Sequence, residues 1–419
     1  MRKIAYWLAL LFVIVANGTI LSLDNDVFTS LTRIFALPAI GAWLLVLLTE
    51  RRIRNPQTFQ WLFFLFVAWN AASLMWTYDT DSTMERIKRY VDYLIALAVF
   101  WSAFREAKQV EGAMQAFVLG VYITVGGLVI NFFRGSTYYS ANSRFSSMAF
   151  HPDDTGLILG IAMPIAWYLG HSGRHLSKWW RGVNFAYPFV AAGAIILTGT
   201  RGALVSVIPA VIYMIFSFRK FTLRWRMIVF GAAVLVLLLL ARLDLSQQMS
   251  RLASITESIS GGSGGDRLNG RLDVWEAGWD VFTKNPVLGV GGGAFPVATL
   301  SYGLPSGDHR NGIIAHNTYL SVLSETGIVG ILLFGGILAT IISALRRCPK
   351  GERGAFVASF CVWAIGAFEL SFEFRWQTWL LFMLIMVASA ATEKQRLRQP
   401  AVNPRRLVPQ PQPGSLGIG

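Results

Sequence analysis

The chain has 419 residues, 54% of them hydrophobic and only 14% charged, with a formal net charge of +14. A mean hydropathy of +0.49, together with repeated apolar runs near the ~20 residues a helix needs to cross a bilayer, excludes a soluble globular enzyme and implies an all-α polytopic membrane protein. Twelve transmembrane helices are expected, at residues 4–22, 33–49, 58–76, 88–104, 113–133, 155–170, 183–199, 202–218, 226–242, 316–345, 354–371 and 376–391. Only Thr200 and Arg201 separate the seventh from the eighth.

The organisation that follows is nine membrane helices over 1–242, one large outer loop over 243–315, three more helices over 316–392, and a Pro-rich, polar tail over 393–419 that reads as disordered. Met1-Arg2-Lys3 before the first apolar run resembles a signal peptide. The run is long and lacks a convincing small-x-small cleavage site, so a retained first helix is expected. With both termini on the cytoplasmic side, 23 of the 37 Lys and Arg fall on that side and 18 of the 23 Asp and Glu on the other. This positive-inside asymmetry accounts for the basic surplus without a nucleic-acid partner. Cys348 lies in a cytoplasmic loop and Cys361 inside a span, so no disulfide framework is implied. Tryptophans near span ends, among them Trp61, Trp76, Trp101, Trp179, Trp180, Trp225, Trp376 and Trp379, fit an interfacial belt.

Within the large loop, a Gly/Ser stretch at 260–265 precedes a segment from Arg271 to Lys284. There Leu272, Trp275, Trp279 and Phe282 recur at helical steps, giving an amphipathic helix with an aromatic face suited to the membrane surface. Asn285-Pro286 stops it, and Gly289-Val-Gly-Gly-Gly-Ala294 follows. That run matches the dinucleotide fingerprint G-x-G-x-x-A, but no βαβ unit surrounds it, so a tight glycine turn is expected, with an amide nest as the minor alternative. His316 and Asn317 stand at the start of the tenth span, and Gly327 and Gly330 complete the pattern H-N-x9-G-x-x-G. A titratable imidazole is thereby placed where a membrane helix meets water on the outer face.

Other groups compete less well. His171 and His175 lie on the cytoplasmic side without the glutamate of a zinc motif. His151-Pro-Asp153-Asp154, Asp24-x-Asp26 and Asp79-x-Asp81 could hold a metal, though acidic outer loops supply such pairs by chance. No metal and no cofactor are therefore assigned. Arg86, Lys88 and Arg89 form a basic cluster against the outward trend, readable as an anion attractor or as a mixed-charge loop with Asp79, Asp81, Glu85 and Asp92.

Three elements taken together resemble the O-antigen ligase and polymerase superfamily of lipopolysaccharide biosynthesis: Thr198-Gly-Thr-Arg201-Gly202; Asn269-Gly-Arg271-Leu-Asp-Val-Trp275 leading to Asn285-Pro286 and Phe295; and His316-Asn317-x9-Gly327-x-x-Gly330. The chain's size and its single large loop look more like the ligase branch. The resemblance implies a GT-C-like membrane glycosyltransferase in a bacterial inner membrane, with its active site facing the periplasm. Such an enzyme moves O-antigen polysaccharide from undecaprenyl pyrophosphate onto a sugar hydroxyl of the lipid A core, without metal. A polymerase of the same superfamily is the alternative, and a polysaccharide-lipid transporter or flippase is the alternative from another class.

On this reading His316 is the general base that takes the acceptor hydroxyl's proton; an ordinary imidazole, with a pKa of about 6.5, is mostly neutral at pH 7. Asn317 orients the ring or a sugar, and His309 is a possible auxiliary. Arg201 and Arg271, with Arg86 and Arg89, are the candidate pyrophosphate ligands, since a guanidinium fork binds phosphate bidentately and stays charged. Arg201 sits between two apolar spans, where a charge costs roughly 2.5–3.5 kcal/mol on insertion scales. Gly327 and Gly330 read as a helix-packing face.

Overall fold

The computed structural model describes residues 1–18, 29–50, 54–137, 144–147, 150–219, 221–242, 270–304 and 313–398. The Gly/Ser stretch at 260–265, His309, Asp24, Asp26 and the end of the tail lie outside them.

Helices, and no strand, build the described residues: α1 (Arg2–Asn17), α2 (Thr29–Glu50), α3 (Thr58–Ala72), α4 (Thr80–Ala103), α5 (Ala107–Arg134), α6 (Pro152–Ser172), α7 (Lys178–Thr198), α8 (Arg201–Ser206), α9 (Ile208–Phe218), α10 (Leu223–Leu240), α11 (Arg271–Lys284), α12 (Phe295–Ala298), α13 (Thr318–Arg347), α14 (Lys350–Gly366) and α15 (Trp376–Arg398). A helix falls on each of the twelve apolar runs. Five stretches, Thr58–Met75, Ala107–Arg134, Lys178–Thr198, Arg201–Phe218 and Thr318–Arg347, are long and apolar enough to cross a membrane. The protein is an all-α membrane protein.

Two helices form the centre. Every residue of α6 from Pro152 to Gly170 is buried, as is α15 from Gln377 to Ala391. Beyond Asp153 and Asp154 at the start of α6 and Gln377 at the start of α15, both sequences are apolar or weakly polar on all sides, which a helix enclosed by other helices requires. Around them pack α5, α7, α14 and the α8–α9 pair on one side and α4 and α13 on the other. By contrast, α9 turns Ile212, Ile215 and Phe216 outward, the pattern of a lipid-facing surface.

The tryptophan belt is only partly realised. Trp61 and Trp179 are exposed, but Trp101 and Trp379 are buried and keep their indole N–H groups satisfied by the carbonyls of Asn55 and Glu373. An indole that finds a buried acceptor gains nothing from staying at an interface.

The glycine run and the H-N-x9-G-x-x-G element form one unit. Helix α13 breaks at Gly327, whose φ of 64° and ψ of −164° are non-helical, a region essentially reserved for glycine. The break frees carbonyls that helix hydrogen bonds would otherwise occupy. Val290 N–H donates to Ser324 O (3.1 Å) and Gly291 N–H to Glu325 O (2.9 Å), while Ile328 N–H turns to Pro286 O (2.9 Å). Gly289, Gly291 and Gly293 supply the positive φ values this docking needs. Trp69 and Trp76 lock the joint from α3 and its extension, donating to Thr326 O and Leu288 O. Gly327 therefore packs against backbone: a Cβ there would lie 2.1 Å from Val287 O. At Gly330 a Cβ would meet Thr326 of its own helix at 1.8 Å. The expected helix-packing face is thus a helix break.

The sequence-based reading of 289–294 as a tight turn agrees with this geometry, and the turn also forms a nest. Gly293 N–H donates to a Glu325 carboxylate oxygen at 2.8 Å and Gly292 N–H to Ser73 Oγ at 3.1 Å. The anion in the nest is thus the protein's own Glu325.

Candidate active site

His316 is the one non-glycine residue at positive φ (45°) among the described residues. The chain is fixed on both sides of it. Before it, buried Ala315 accepts a hydrogen bond from the Trp275 indole (3.2 Å) and packs with Val274 and Phe295. After it, Thr318 N–H donates to Ala367 O (2.8 Å), and the Thr318 hydroxyl bridges Leu370 O and Phe372 N. Such strain, ~1–2 kcal/mol for a residue with a Cβ, persists only where the surroundings impose it.

Asn317 departs from the role read for it. Its side-chain oxygen caps α13, accepting from Tyr319 N–H and Leu320 N–H at 3.0 and 3.1 Å. Only its amide nitrogen is left for a sugar or an imidazole. Asp79 behaves likewise: it caps α4 through Asp81 N–H and Ser82 N–H, so it is spent on helix initiation.

Beside Ala315 lies a cavity of about 140 Å³, lined among others by Arg86, Arg89, Ser321, Glu325 and Phe374. Arg86 lines the cavity but is already engaged by two carboxylates. Its guanidinium lies between Glu373 (2.9 Å) and Glu325 (3.3 Å), with its side chain only 12% exposed. Ser321 Oγ–H donates to the same Glu373 oxygen at 2.9 Å. Arg89, nearly half exposed, pairs loosely with Glu85 at 3.4 Å. The guanidinium carbons of Arg86, Arg375 and Arg89 surround the Phe374 ring at 4.5, 4.8 and 5.8 Å. An aromatic face supplies some of the attraction that holds like charges near one another.

A second charged cluster adjoins the first. Arg375 pairs with buried Asp154, and Arg144 with Asp153. Arg144 also donates to Thr198 O and Thr200 Oγ1, at 3.2 and 3.0 Å. His151 Nδ1 is 3.3 Å from Asp153. Arg271, at the start of α11, faces Asp153 at 3.9 Å and Glu369 at 3.7 Å. These separations are ionic contacts, too long for hydrogen bonds. The His151-Asp153-Asp154 group is thus engaged by arginines, and no group of three or more His, Cys, Asp or Glu among the described residues is placed to hold a metal ion.

The Thr198-Gly-Thr-Arg201-Gly202 element runs along the edge of this cluster. Gly199 ends α7 in the left-handed conformation, Thr200 is extended, and α8 begins at Arg201. Gly202 lies so close to Glu369 that a Cβ would overlap the carboxylate. Arg201 is therefore next in sequence to the residue that abuts Arg271's partner. The connection between α14 and α15 carries Glu369, Glu373, Phe374 and Arg375, and it joins both clusters to the start of α13.

In α11 the buried face is Val274, Ala277, Gly278 and Val281, with Gly278 tight against Leu320. Trp279 is exposed, while Leu272, Trp275 and Phe282 are half-buried. The aromatic face expected from the sequence is thus divided: Trp279 points outward, whereas Trp275 packs on the Val274–Phe295–Ala315 cluster. At its far end Asp280 is held below the usual carboxylate range by hydrogen bonds from Lys284 and Tyr302, and Lys284 is raised chiefly by Asp280.

Residues 186–335 match a protein-family model described as O-Antigen ligase. The match contains all three sequence elements discussed above. Over this stretch, somewhat more than a third of its length, the chain is similar to the O-antigen ligase superfamily. Members of this superfamily are glycosyltransferase-like membrane enzymes that handle lipid-linked polysaccharide. No curated protein matches the chain.

Proposed function

We propose that this chain is an O-antigen ligase of the bacterial inner membrane, acting at its periplasmic face. It transfers O-antigen polysaccharide from undecaprenyl pyrophosphate to a sugar hydroxyl of the lipid A core. His316 takes the acceptor proton as the hydroxyl oxygen attacks the anomeric carbon. The bond from that carbon to the pyrophosphate oxygen breaks, undecaprenyl pyrophosphate leaves with the electron pair, and the anomeric centre inverts. Arg271 and Arg201 receive the pyrophosphate charge, with Arg89 at the cavity mouth. Arg86 holds Glu325 and Glu373, and through them the glycine turn, in place.

The observation that carries this reading is the strained backbone of His316, clamped by Trp275 on the helix that Arg271 opens and by the connection that bears Glu369. Arg271's carboxylate contacts at 3.7 and 3.9 Å are loose enough to exchange for a diphosphate. A deletion strain tests the assignment. Ligase loss leaves bare lipid A core and stranded lipid-linked polymer. A core carrying a single repeat unit would instead identify a polymerase, and unchanged lipopolysaccharide would remove both.

A further inference from the structure

At the opposite end of the helices from the arginine and carboxylate clusters lies a cleft of about 440 Å³. It is bounded by the C-terminal end of α6, by α7 and α9, by the turn before α10 and by the N-terminal end of α14. Since α6 has 21 residues, the cleft stands ~30 Å from Asp153.

The cleft is chemically two-sided. One wall is aromatic: Phe185 and Phe221 stack with Trp167, at centroid distances of 4.8 and 5.4 Å from it. The rim is cationic. Lys350 is exposed and makes no ion pair among the described residues. Arg181 donates to the last carbonyls of α6, Gly170 O (3.1 Å) and His171 O (2.9 Å), which fixes its charge at the rim. His171 lines the same side, and no Asp or Glu is among the described lining residues. Glu352, two residues after Lys350, is not among the residues lining the cleft and forms no ion pair with Lys350. The cleft adjoins α9, where Ile212, Ile215 and Phe216 are 47%, 59% and 60% exposed.

We infer that this cleft binds an anionic glycerophospholipid, its phosphate on Lys350 and Arg181 and its acyl chains along the outward face of α9. An uncompensated cationic rim attracts a phosphate. An aromatic wall continuous with an apolar helix face suits a ligand that is polar at one end only. A soluble anion would use the rim and leave that continuity unexplained. The inference does not depend on the ligase reading.

The test uses the full-length protein in nanodiscs of mixed phosphatidylcholine and phosphatidylglycerol, with retained lipids counted by native mass spectrometry. Wild type should retain phosphatidylglycerol in preference to phosphatidylcholine. Lys350→Gln should weaken that preference about fivefold, which corresponds to ~1 kcal/mol for one lysine at an anionic surface. Lys178→Gln removes an exposed charge outside the cleft lining and should leave it unchanged. Lys350 begins α14, where a positive charge opposes the helix dipole, so its loss should not impair folding; a melting temperature at or above wild type checks this. Equal retention of the two lipids, or equal loss in both variants, overturns the proposal. Displacement of phosphatidylglycerol by millimolar inorganic phosphate would assign the cleft to a soluble anion and also overturn it.

Discussion

Replacing His316 by glycine and by alanine separates its backbone from its side chain. At most positions glycine is less stable than alanine by roughly 0.5–1 kcal/mol, because it loses more freedom on folding. At φ 45° the order should reverse. A Cβ in the left-handed region costs ~1–2 kcal/mol, which alanine retains and glycine releases. Both variants lose the same imidazole contacts, so the difference between them isolates the strain. Net of glycine's usual penalty, His316→Gly should exceed His316→Ala in stability by up to ~1 kcal/mol. The assay is thermal unfolding of purified protein followed by tryptophan fluorescence, paired with glycan transfer. Both variants should fold yet transfer 10²- to 10⁴-fold more slowly, the usual contribution of a general base. Glycine melting below alanine would refute the strain argument, and near-normal transfer by either variant would refute the base.

Gly327→Ala should sharply lower thermal stability and abolish transfer, since the new Cβ would sit 2.1 Å from Val287 O at a φ of 64°; wild-type melting would show that the break is not required. Arg86→Met should destabilise the protein by ~3–5 kcal/mol, because it leaves Glu325 and Glu373 buried without their cation. A melting temperature within error of wild type would contradict that. The Asp280–Lys284–Tyr302 tether has a depressed carboxyl and a raised amine. Its contribution is present above the ordinary carboxylate pKa of about 3.9, is lost as pH falls through Asp280's lower folded value, and is lost at high pH only above lysine's ordinary ~10.4. Hydrogen exchange at residues 300–302 should therefore show constant protection from about pH 5 to 9, once corrected for intrinsic rate. A transition inside that window would refute the pairing.

Hydropathy located helices because a helix enclosed by other helices or lipid is apolar over much of its length; each of the twelve runs falls on helix, the one at 202–218 on both α8 and α9, and five stretches are long and apolar enough to cross a membrane. It did not locate the breaks. Gly327 and Gly330 are spaced as a packing face would be, and only the approach of 286–291 from outside the helix turns Gly327 into a hinge. The sequence singles out the arginines Arg201, Arg271, Arg86 and Arg89 as candidates, but not the carboxylates that the structure sets beside Arg86 and Arg271. Glu325, Glu369 and Glu373 lie in or between apolar runs, and their partners come from distant parts of the chain. Arg86 and Glu325, for example, are 239 positions apart. A physical signal was nonetheless available, since a carboxylate inside an apolar helix is costly enough to demand a buried cation. Arg144 and Arg375 lie outside every motif, and Arg86 reads from the sequence as a phosphate ligand or part of a mixed-charge loop, although buried carboxylates call for cations of this kind.

The central claim is that His316 activates a sugar hydroxyl against a lipid-pyrophosphate donor held by Arg271 and Arg201. Its most direct measurement is transfer by purified protein from undecaprenyl-pyrophosphate-linked glycan to lipid A core with no nucleotide added, comparing wild type with His316→Asn. Asparagine tolerates the left-handed backbone but cannot act as a base. The account predicts transfer with inversion by the wild type and a correctly folded, inactive variant. Undiminished transfer by His316→Asn, or none by wild type without a nucleotide, would contradict it.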